Sequence, residues 1–112
     1  MTSVERGDVV LVRFVFADEK GVKRRPGLVV SADRYHQGRR EAILAAITGN
    51  LERLLVGDHR ISAWREAGLV SPSVVTGIVR TIKQEMIADK LGRLPAAELT
   101  AVEGKLREIL AL

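Results

Sequence analysis

Runs of β-branched and aromatic residues, separated by turn residues, constrain this chain most, because they predict a protein built mainly from short strands. Residues 9–16 read VVLVRFVF, a strand-like run, and DEKG at residues 18–21 supplies a turn behind it. Pro26 then disfavours helix and biases Arg25 towards an extended conformation, and LVVS at residues 28–31 predicts a second strand. Arg25 is therefore predicted to lie where a loop enters the sheet.

The middle of the chain continues this pattern. EAILAAIT at residues 41–48 is apolar nearly throughout and ends at Gly49-Asn50, which predicts a buried strand, although its alanines leave a helix open. Residues 60–68 place apolar side chains at helical spacing before a glycine and predict one short helix. Two more strands are predicted, at residues 73–78 and 79–88.

The last segment predicts a helix. Pro95 suits its first turn, and five apolar residues form one helical stripe. They are Leu99, Val102, Leu106, Ile109 and Leu110. About five strands followed by a terminal helix indicate a mainly β fold with α, either a small barrel or a curled sheet that the helix covers.

Length and composition limit the class of protein. The chain has 112 residues, 46% of them hydrophobic, so a single domain spanning residues 1–112 is expected. Without cysteine there is no disulfide or thiolate metal site, which suits a reducing cytoplasm. Charged residues interrupt the first ten positions, and no apolar run approaches the ~20 residues of a membrane span. We therefore expect a cytoplasmic protein without a membrane segment.

Basic residues are concentrated in one stretch. The whole chain carries a formal charge of +4, but residues 20–40 hold seven basic residues against the single acid Asp33. The basic residues are Lys20, Lys23, Arg24, Arg25, Arg34, Arg39 and Arg40. Such a stretch would attract a polyanion.

Several motifs occur in an order that resembles the MazF/PemK (Kid) family of toxins. They are RGDVV (6–10), KRRPGLVVS (23–31), AAIT (45–48), WREAGLVSPSVV (64–75), RTI (80–82) and LGRL (91–94). The resemblance implies an SH3-like β-barrel of about five to seven strands with a C-terminal helix, assembled as a homodimer. It also implies a toxin endoribonuclease that cleaves single-stranded RNA at specific sequences and is inhibited by a cognate antitoxin protein.

The resemblance also implies a catalytic pair, an Arg before Pro and a Thr ending the following apolar strand. These are Arg25 and Thr48. Many members carry Glu five residues before the catalytic Arg, where this chain has Lys20, and many carry acids around RTI, where it has Gly77 and Lys83. The auxiliary acid of such members therefore has no counterpart at these positions.

These residue types suit cleavage of RNA without a metal or cofactor, because RNA supplies its own nucleophile, the 2′-OH. A guanidinium offers a planar fork to phosphate and stays charged, so Arg25 is assigned to electrostatic stabilisation, with proton donation to the leaving 5′ oxygen left open. Thr48 is assigned a hydroxyl hydrogen bond to the phosphate, and the general base is unassigned. We expect RNA binding from five cations, for which a merely solvated role is the alternative. They are Lys20, Lys23, Arg24, Arg39 and Arg40.

Other residues admit two interpretations. His36 and His59 could act as acid and base, although surface histidines are favoured because neither has a partner signature. Trp64 and Phe14 could stack on bases, although their apolar spacing favours the core. Two other functions remain: a non-catalytic toxin on the same barrel, of the kind that poisons DNA gyrase, and a plain nucleic-acid-binding SH3-like module.

Overall fold

The computed structural model describes residues 3–15, 22–52 and 54–112, which form six strands, two α-helices and a 3₁₀ turn. In chain order these are β1 (Asp8–Val15), β2 (Val22–Val29), α1 (Asp33–Gly38), β3 (Glu41–Thr48), β4 (His59–Arg60), β5 (Val74–Lys83), the 3₁₀ turn (Gln84–Met86), β6 (Ile87–Arg93) and α2 (Ala96–Leu110). The predicted mainly β fold with a C-terminal helix is confirmed.

All six strands belong to one antiparallel sheet with the order β4-β5-β3-β2-β1-β6. The described residues contain no ladder between β4 and β6, so the sheet is open there, with these strands at its edges. Irregular register occurs in β1 against β6 and in β3 against β5. Bulges of this kind increase local twist, which allows a small sheet to curl around its own core. No α-helix within the described residues is long and apolar enough to cross a membrane.

Both faces of the sheet are buried over its centre, because Val9 and Val10 are neighbours on opposite faces of β1 and both are nearly inaccessible. The back face carries a core that α2 and the segment after β4 cover. It contains Val9, Leu28, Ala45, Ile47, Ile61, Ala67, Leu69, Val75, Leu94 and Val102. The front face carries a second core. It contains Val10, Val12, Val29, Ala42, Leu44 and Ile82. Burial on both faces explains why EAILAAIT is apolar almost throughout.

Helix α2 packs on the back face through part of its predicted stripe. Val102 is buried, and Leu99 and Leu106 are half-buried against the core. Ile109 lies over Gly57, where an added Cβ would come within 2.9 Å of it. Leu110, however, is 54% exposed, so the stripe turns away from the sheet in the last turn.

The predicted helix at residues 60–68 is wrong. Arg60 belongs to β4, and residues 64–68 form a hydrogen-bonded turn. The helical spacing correctly marked inward-facing residues, since Ile61 and Ala67 are buried. The turn form is enforced at Gly68, whose φ is +82° and whose Cα lies so near the Leu91 carbonyl that a Cβ would be 2.0 Å from its oxygen.

Strand boundaries also differ from the predictions. Residues 74–83, which the predictions at 73–78 and 79–88 divide between two strands, form one continuous strand, β5. The break falls at the 3₁₀ turn Gln84–Met86, and residues 87–88 begin β6. Strand β2 begins at Val22 instead of residue 28. Helix α1, which has six residues and none buried, has no apolar periodicity and was not predicted. The turn expected at residues 18–21 lies outside the described residues.

Candidate functional site

Arg25 lies inside β2, paired with Val12 of β1, and not at the loop entrance that the sequence predicted. The next residue, Pro26, interrupts the ladder between β2 and β3. Val30 donates its N–H to Ile43 of β3, so alternate residues of β2, including position 26, point their N–H groups towards β3. Proline has no N–H, and pairing with β3 accordingly begins only at Gly27. The two strands are therefore unpaired at the level of Arg25.

The register places Thr48 across from Arg25. Gly27 pairs with Ala46. Because the strands are antiparallel, the same register continued by two residues puts Arg25 opposite Thr48, and both side chains lie on the front face. The Thr48 Oγ1 accepts the Asn50 N–H at 3.2 Å, which leaves the hydroxyl hydrogen available to a ligand. The sequence-predicted pair is thus brought to opposite sides of the gap between β2 and β3.

Arg25 is exposed, and within the described part of the chain its side chain contacts no acid. Its Nη1 donates only a long hydrogen bond, at 3.4 Å, to the carbonyl of Arg24. A guanidinium without a carboxylate partner keeps its donor fork available for an anion.

Side chains alternate between the two faces of β2, so the three residues of the KRR run do not all lie on the same face. Lys23 pairs with Phe14 and shares the front face with Arg25, whereas Arg24 pairs with Arg13 and points to the opposite face. Arg80 of β5 pairs with Leu44 and so also belongs to the front face. The front face therefore presents Lys23, Arg25 and Arg80 together, and Arg24 lies apart from them.

A cleft of about 200 Å³ lies between Arg25 and Arg80. Its lining is otherwise mostly apolar. It includes Val12, Phe14, Pro26, Gly27, Leu44, Ala46, Ile47, Ile78 and Ile82. The Arg80 guanidinium lies over the Phe14 ring, with its carbon 4.7 Å from the ring centroid, a cation–π arrangement.

Thr48 lines an adjacent depression that shares Ile78 with the cleft. The depression is more polar and contains Asn50 and Asp58. The Asp58 carboxylate accepts two backbone N–H groups, from Leu55 at 3.0 Å and Gly77 at 2.9 Å. Asp58 thus fixes the wall of the depression by holding its loop against β5.

The structure does not bring Arg39 and Arg40 to this site. They precede β3, whereas Thr48 ends it, and seven residue steps at strand spacing correspond to roughly 23 Å. Arg39 forms an ion pair with Glu41, and the hydrogen bond and charge of that carboxylate raise the Arg39 pKa. Lys20 lies outside the described residues. RNA binding by these cations stays a prediction.

The histidines are not surface residues, so that favoured interpretation is wrong. The Val4 carbonyl can only accept, so it takes the His36 Nδ1 hydrogen at 3.1 Å, and with Nδ1 protonated Nε2 of the neutral ring accepts the Ser31 hydroxyl. Ser31 Oγ also accepts the Ile43 N–H at 2.9 Å, so the ring is a buried structural link. His59 Nε2 donates to Glu98 at 3.0 Å. Trp64 and Phe14 are half-buried against the back-face and front-face cores, as favoured from the sequence.

Arg80 was not singled out from the sequence. Ile78, Arg80 and Ile82 alternate with Val79 and Thr81, which indicates that Arg80 lies on the same face of the strand as Ile78 and Ile82. This can be recognised only when residues 74–83 are assigned to one strand. Within the described residues, no group of three His, Asp or Glu side chains could hold a metal ion.

An open antiparallel sheet with a C-terminal helix is also the fold of the MazF-type structures that this chain resembles. Residues 5–110 match the family model described as PemK-like, MazF-like toxin of type II toxin-antitoxin system. The chain belongs to this family, because the match covers nearly its whole length. No curated protein sequence is significantly similar to it.

Solved structures share the fold. A MazE-MazF complex from Deinococcus radiodurans has a TM-score of 0.83 at 23% identity, covering 100% of this chain and 99% of that one. An endoribonuclease from a mycobacterial species has a TM-score of 0.77 at 17% identity, covering 100% and 95%. Mycobacterium tuberculosis toxin MazF-mt6 has a TM-score of 0.76 at 23% identity, covering 94% and 97%.

Proposed function

We propose that this chain is a single-domain toxin endoribonuclease that cleaves single-stranded RNA at specific sequences by attack of the 2′-OH, without a metal ion. The observation that carries the proposal is the β2–β3 register, which pairs Gly27 with Ala46 and, continued by two residues, puts Arg25 and Thr48 on opposite sides of an unpaired gap beside an open cleft. Family membership and the neighbours described as endoribonucleases support it.

In this reaction the 2′ oxygen forms a bond to phosphorus and the bond from phosphorus to the 5′ oxygen breaks, leaving a 2′,3′-cyclic phosphate and a 5′-OH. Negative charge on the non-bridging oxygens increases in the pentacoordinate transition state. The exposed fork of Arg25 can donate to two of those oxygens, which stabilises the transition state more than the ground state. The proton lost by the 2′-OH goes to a general base that we leave unassigned, and the leaving oxygen gains a proton, for which Arg25 is a candidate donor.

Thr48 adds a second, weaker interaction. Its Oγ1 accepts the Asn50 N–H, so the hydroxyl hydrogen stays available to a ligand. We assign it a hydrogen bond to a phosphate oxygen on the side opposite Arg25. Lys23, on the same face, would bind a neighbouring phosphate, and Arg24, Arg39 and Arg40 would contact only a longer strand that leaves the front face. Lys20, outside the described residues, stays a predicted RNA contact.

We infer a cognate antitoxin as partner, because several of the matching structures contain MazE or a cognate antitoxin. An acidic, partly disordered segment laid over the front-face cations would exclude RNA. A ternary complex in which antitoxin and RNA both occupy the front face would contradict this.

We also infer a homodimer acting in the cytoplasm. Apolar side chains are exposed near the C-terminal end of α2 and on β5, with Leu112 88%, Leu110 54% and Val79 38% exposed. They border one shallow groove, and a patch of this kind commonly marks a protein interface. Leu110→Glu should convert a dimer to a monomer in light scattering, and a monomeric wild type would refute the inference.

The decisive experiment is single-turnover cleavage of labelled single-stranded RNA in EDTA, with a 2′-deoxy strand in parallel. Arg25→Lys keeps the charge but loses the fork, so turnover should fall about 100-fold to 1,000-fold while affinity for the 2′-deoxy strand is largely kept. Arg65→Lys is the matched control, since Arg65 is exposed and lines neither the cleft nor the depression beside Thr48.

The outcomes separate the competing functions. If Arg25→Lys cleaves like wild type, or the 2′-deoxy strand is cut as well as RNA, the mechanism is wrong. If wild type binds RNA but leaves it intact, the chain is a nucleic-acid-binding module. If it does neither, a non-catalytic toxin becomes the better interpretation.

A further inference from the structure

Arg80 is a cation of the front face that has no role in the proposed mechanism. It is exposed on β5, its guanidinium carbon is 4.7 Å from the centroid of the Phe14 ring, and it borders the same cleft as Arg25. Phe14 is half-buried against the front-face core, so it provides a fixed surface beneath the guanidinium. The two side chains come from β1 and β5, which are not neighbours in the sheet, and they meet because the sheet curls.

The cleft between the two arginines combines apolar walls with cations at its rim. Val12, Pro26, Leu44, Ala46 and Ile78 supply the walls. A nucleotide has the complementary composition, since its base has two apolar π faces and its phosphate is an anion. Proteins that hold single strands commonly pair a cationic groove with flat side chains on which bases stack, and a guanidinium plane serves this purpose as well as an aromatic ring.

We propose that Arg80, seated on Phe14, is the stacking platform for one nucleobase of the bound strand, next to the phosphate that Arg25 holds. The inference rests on the proposed function for its ligand, single-stranded RNA. The Arg80 guanidinium lies over the Phe14 ring and the residue is exposed, so a base can stack on its outer side. Contact with the ring restricts the guanidinium, which lowers the entropy lost when the base binds. Arg80 is thus a positioning residue, and a lysine could replace its charge but not its plane.

The test measures affinity with an uncleavable strand, 2′-deoxy at the scissile nucleotide, in which each base in turn is replaced by an abasic site. For wild type, loss of the stacked base should weaken binding about 5-fold to 150-fold at one position. In Arg80→Lys that position should become as insensitive as its neighbours, because the platform is absent. The salt dependence of Arg80→Lys should match that of wild type, since its charge is kept.

Arg65→Lys is the matched control, because Arg65 is exposed and stacks on Trp64 at 4.8 Å, the same local arrangement away from the cleft. Its abasic profile should equal that of wild type. An Arg80→Lys profile identical to wild type would overturn the proposal and leave Arg80 as a phosphate contact or a solvated residue.

The design separates this inference from the proposed function. Binding is measured on a strand that cannot react, so a wild type that shows the abasic signature but cuts no RNA in EDTA would contradict the endoribonuclease and leave the platform standing. Conversely, RNA cleavage with no coupling between Arg80 and any base would contradict the platform alone. Equal melting temperatures of the variants exclude misfolding as the cause.

Discussion

Glu98, in the first turn of α2, joins the helix to the segment that follows β4, and its replacement should destabilise the fold in a pH-dependent way. Its carboxylate accepts the backbone N–H of Ser62 at 2.7 Å, that of Ala63 at 2.9 Å and the His59 Nε2 hydrogen at 3.0 Å. The side chain is 14% exposed. Three donors therefore converge on one largely buried anion.

Glu98→Gln keeps the shape of the side chain but replaces one acceptor oxygen with a donor. The amide oxygen of the new side chain can accept the backbone N–H of Ser62 or that of Ala63, but not both. The remaining backbone N–H then faces the amide NH₂ group, which cannot accept a hydrogen bond. Losing one hydrogen bond to a charged group costs about 1.5–3 kcal/mol. For a domain of this size, about 3–6 °C per kcal/mol gives a decrease in Tm of roughly 5–18 °C.

The pH dependence follows from the Glu98 pKa. Burial by itself would raise that pKa, but the hydrogen bonds from Ala63, Ser62 and His59 outweigh burial and lower it. A carboxyl group with a lowered pKa in the folded state stabilises the fold at pH values above its ordinary value, about 4.3. This contribution is lost as the pH falls from there through the folded pKa.

The measurement is urea unfolding of wild type and Glu98→Gln between neutral pH and pH 3. Their difference in unfolding free energy should be largest near neutrality and should shrink in acid. Glu108→Gln, the same charge change at an exposed position of α2, should stay within about 0.5 kcal/mol of wild type. A difference between wild type and Glu98→Gln that is constant with pH, or larger in acid, would show that the anion does not stabilise this junction.

The remaining predictions concern the core, the RNA and the gap between β2 and β3. Val102→Ala should cost about 2–3 kcal/mol in chemical unfolding, and more than Leu106→Ala, because Val102 is 3% exposed and Leu106 only half-buried; equal losses would mean that the helix docks differently. RNA affinity should fall with salt at a log–log slope of about 0.7 per phosphate contact, and a flat response would remove the basic residues from the RNA site. Thr48→Val should slow single-turnover cleavage without weakening binding, whereas Thr48→Ser should not; equal rates for the two would exclude the hydroxyl. Pro26→Ala should lower turnover at unchanged or higher Tm, because it supplies the missing N–H to β3; unaltered cleavage would show that the gap does not matter.

The sequence predicted the features that depend on local pattern. Residues 9–16 and 41–48 were recognised as strands because β-branched and apolar runs reflect burial, and α2 because its stripe repeats at the helical period. The helix at residues 60–68 failed because its apolar spacing reports only which side chains face inward. The backbone there is set by the contact of Gly68 with Leu91 and by the carboxylate of Glu98, both distant in sequence.

The candidate site shows a different limit. The basic residues from Lys23 to Arg40 are close in sequence, which suggested one binding patch. Side chains alternate between the two faces of a strand, so Arg24 lies on the back face. The length of β3 separates Arg39 from Thr48. The face on which a side chain lies can be assigned only after the strand boundaries are known. The predicted boundary at residue 79 is wrong, and for this reason the sequence did not identify Arg80 as a front-face residue.

Pro26 explains how the sheet exposes Arg25 beside an opening. A fully paired β2 would continue its ladder to β3 past Gly27, and the backbone groups of the two strands would fill the space between Arg25 and Thr48. Because proline cannot donate the hydrogen bond that the ladder requires at position 26, the strands are free to separate there, while the β1 side of β2 stays paired through Val12 and Leu11. Arg25 is thereby held by a rigid strand on one side and borders an opening on the other. This combination anchors the backbone of Arg25 and leaves room for a phosphate beside its side chain, which an arginine in a loop or in the middle of a paired sheet would not provide.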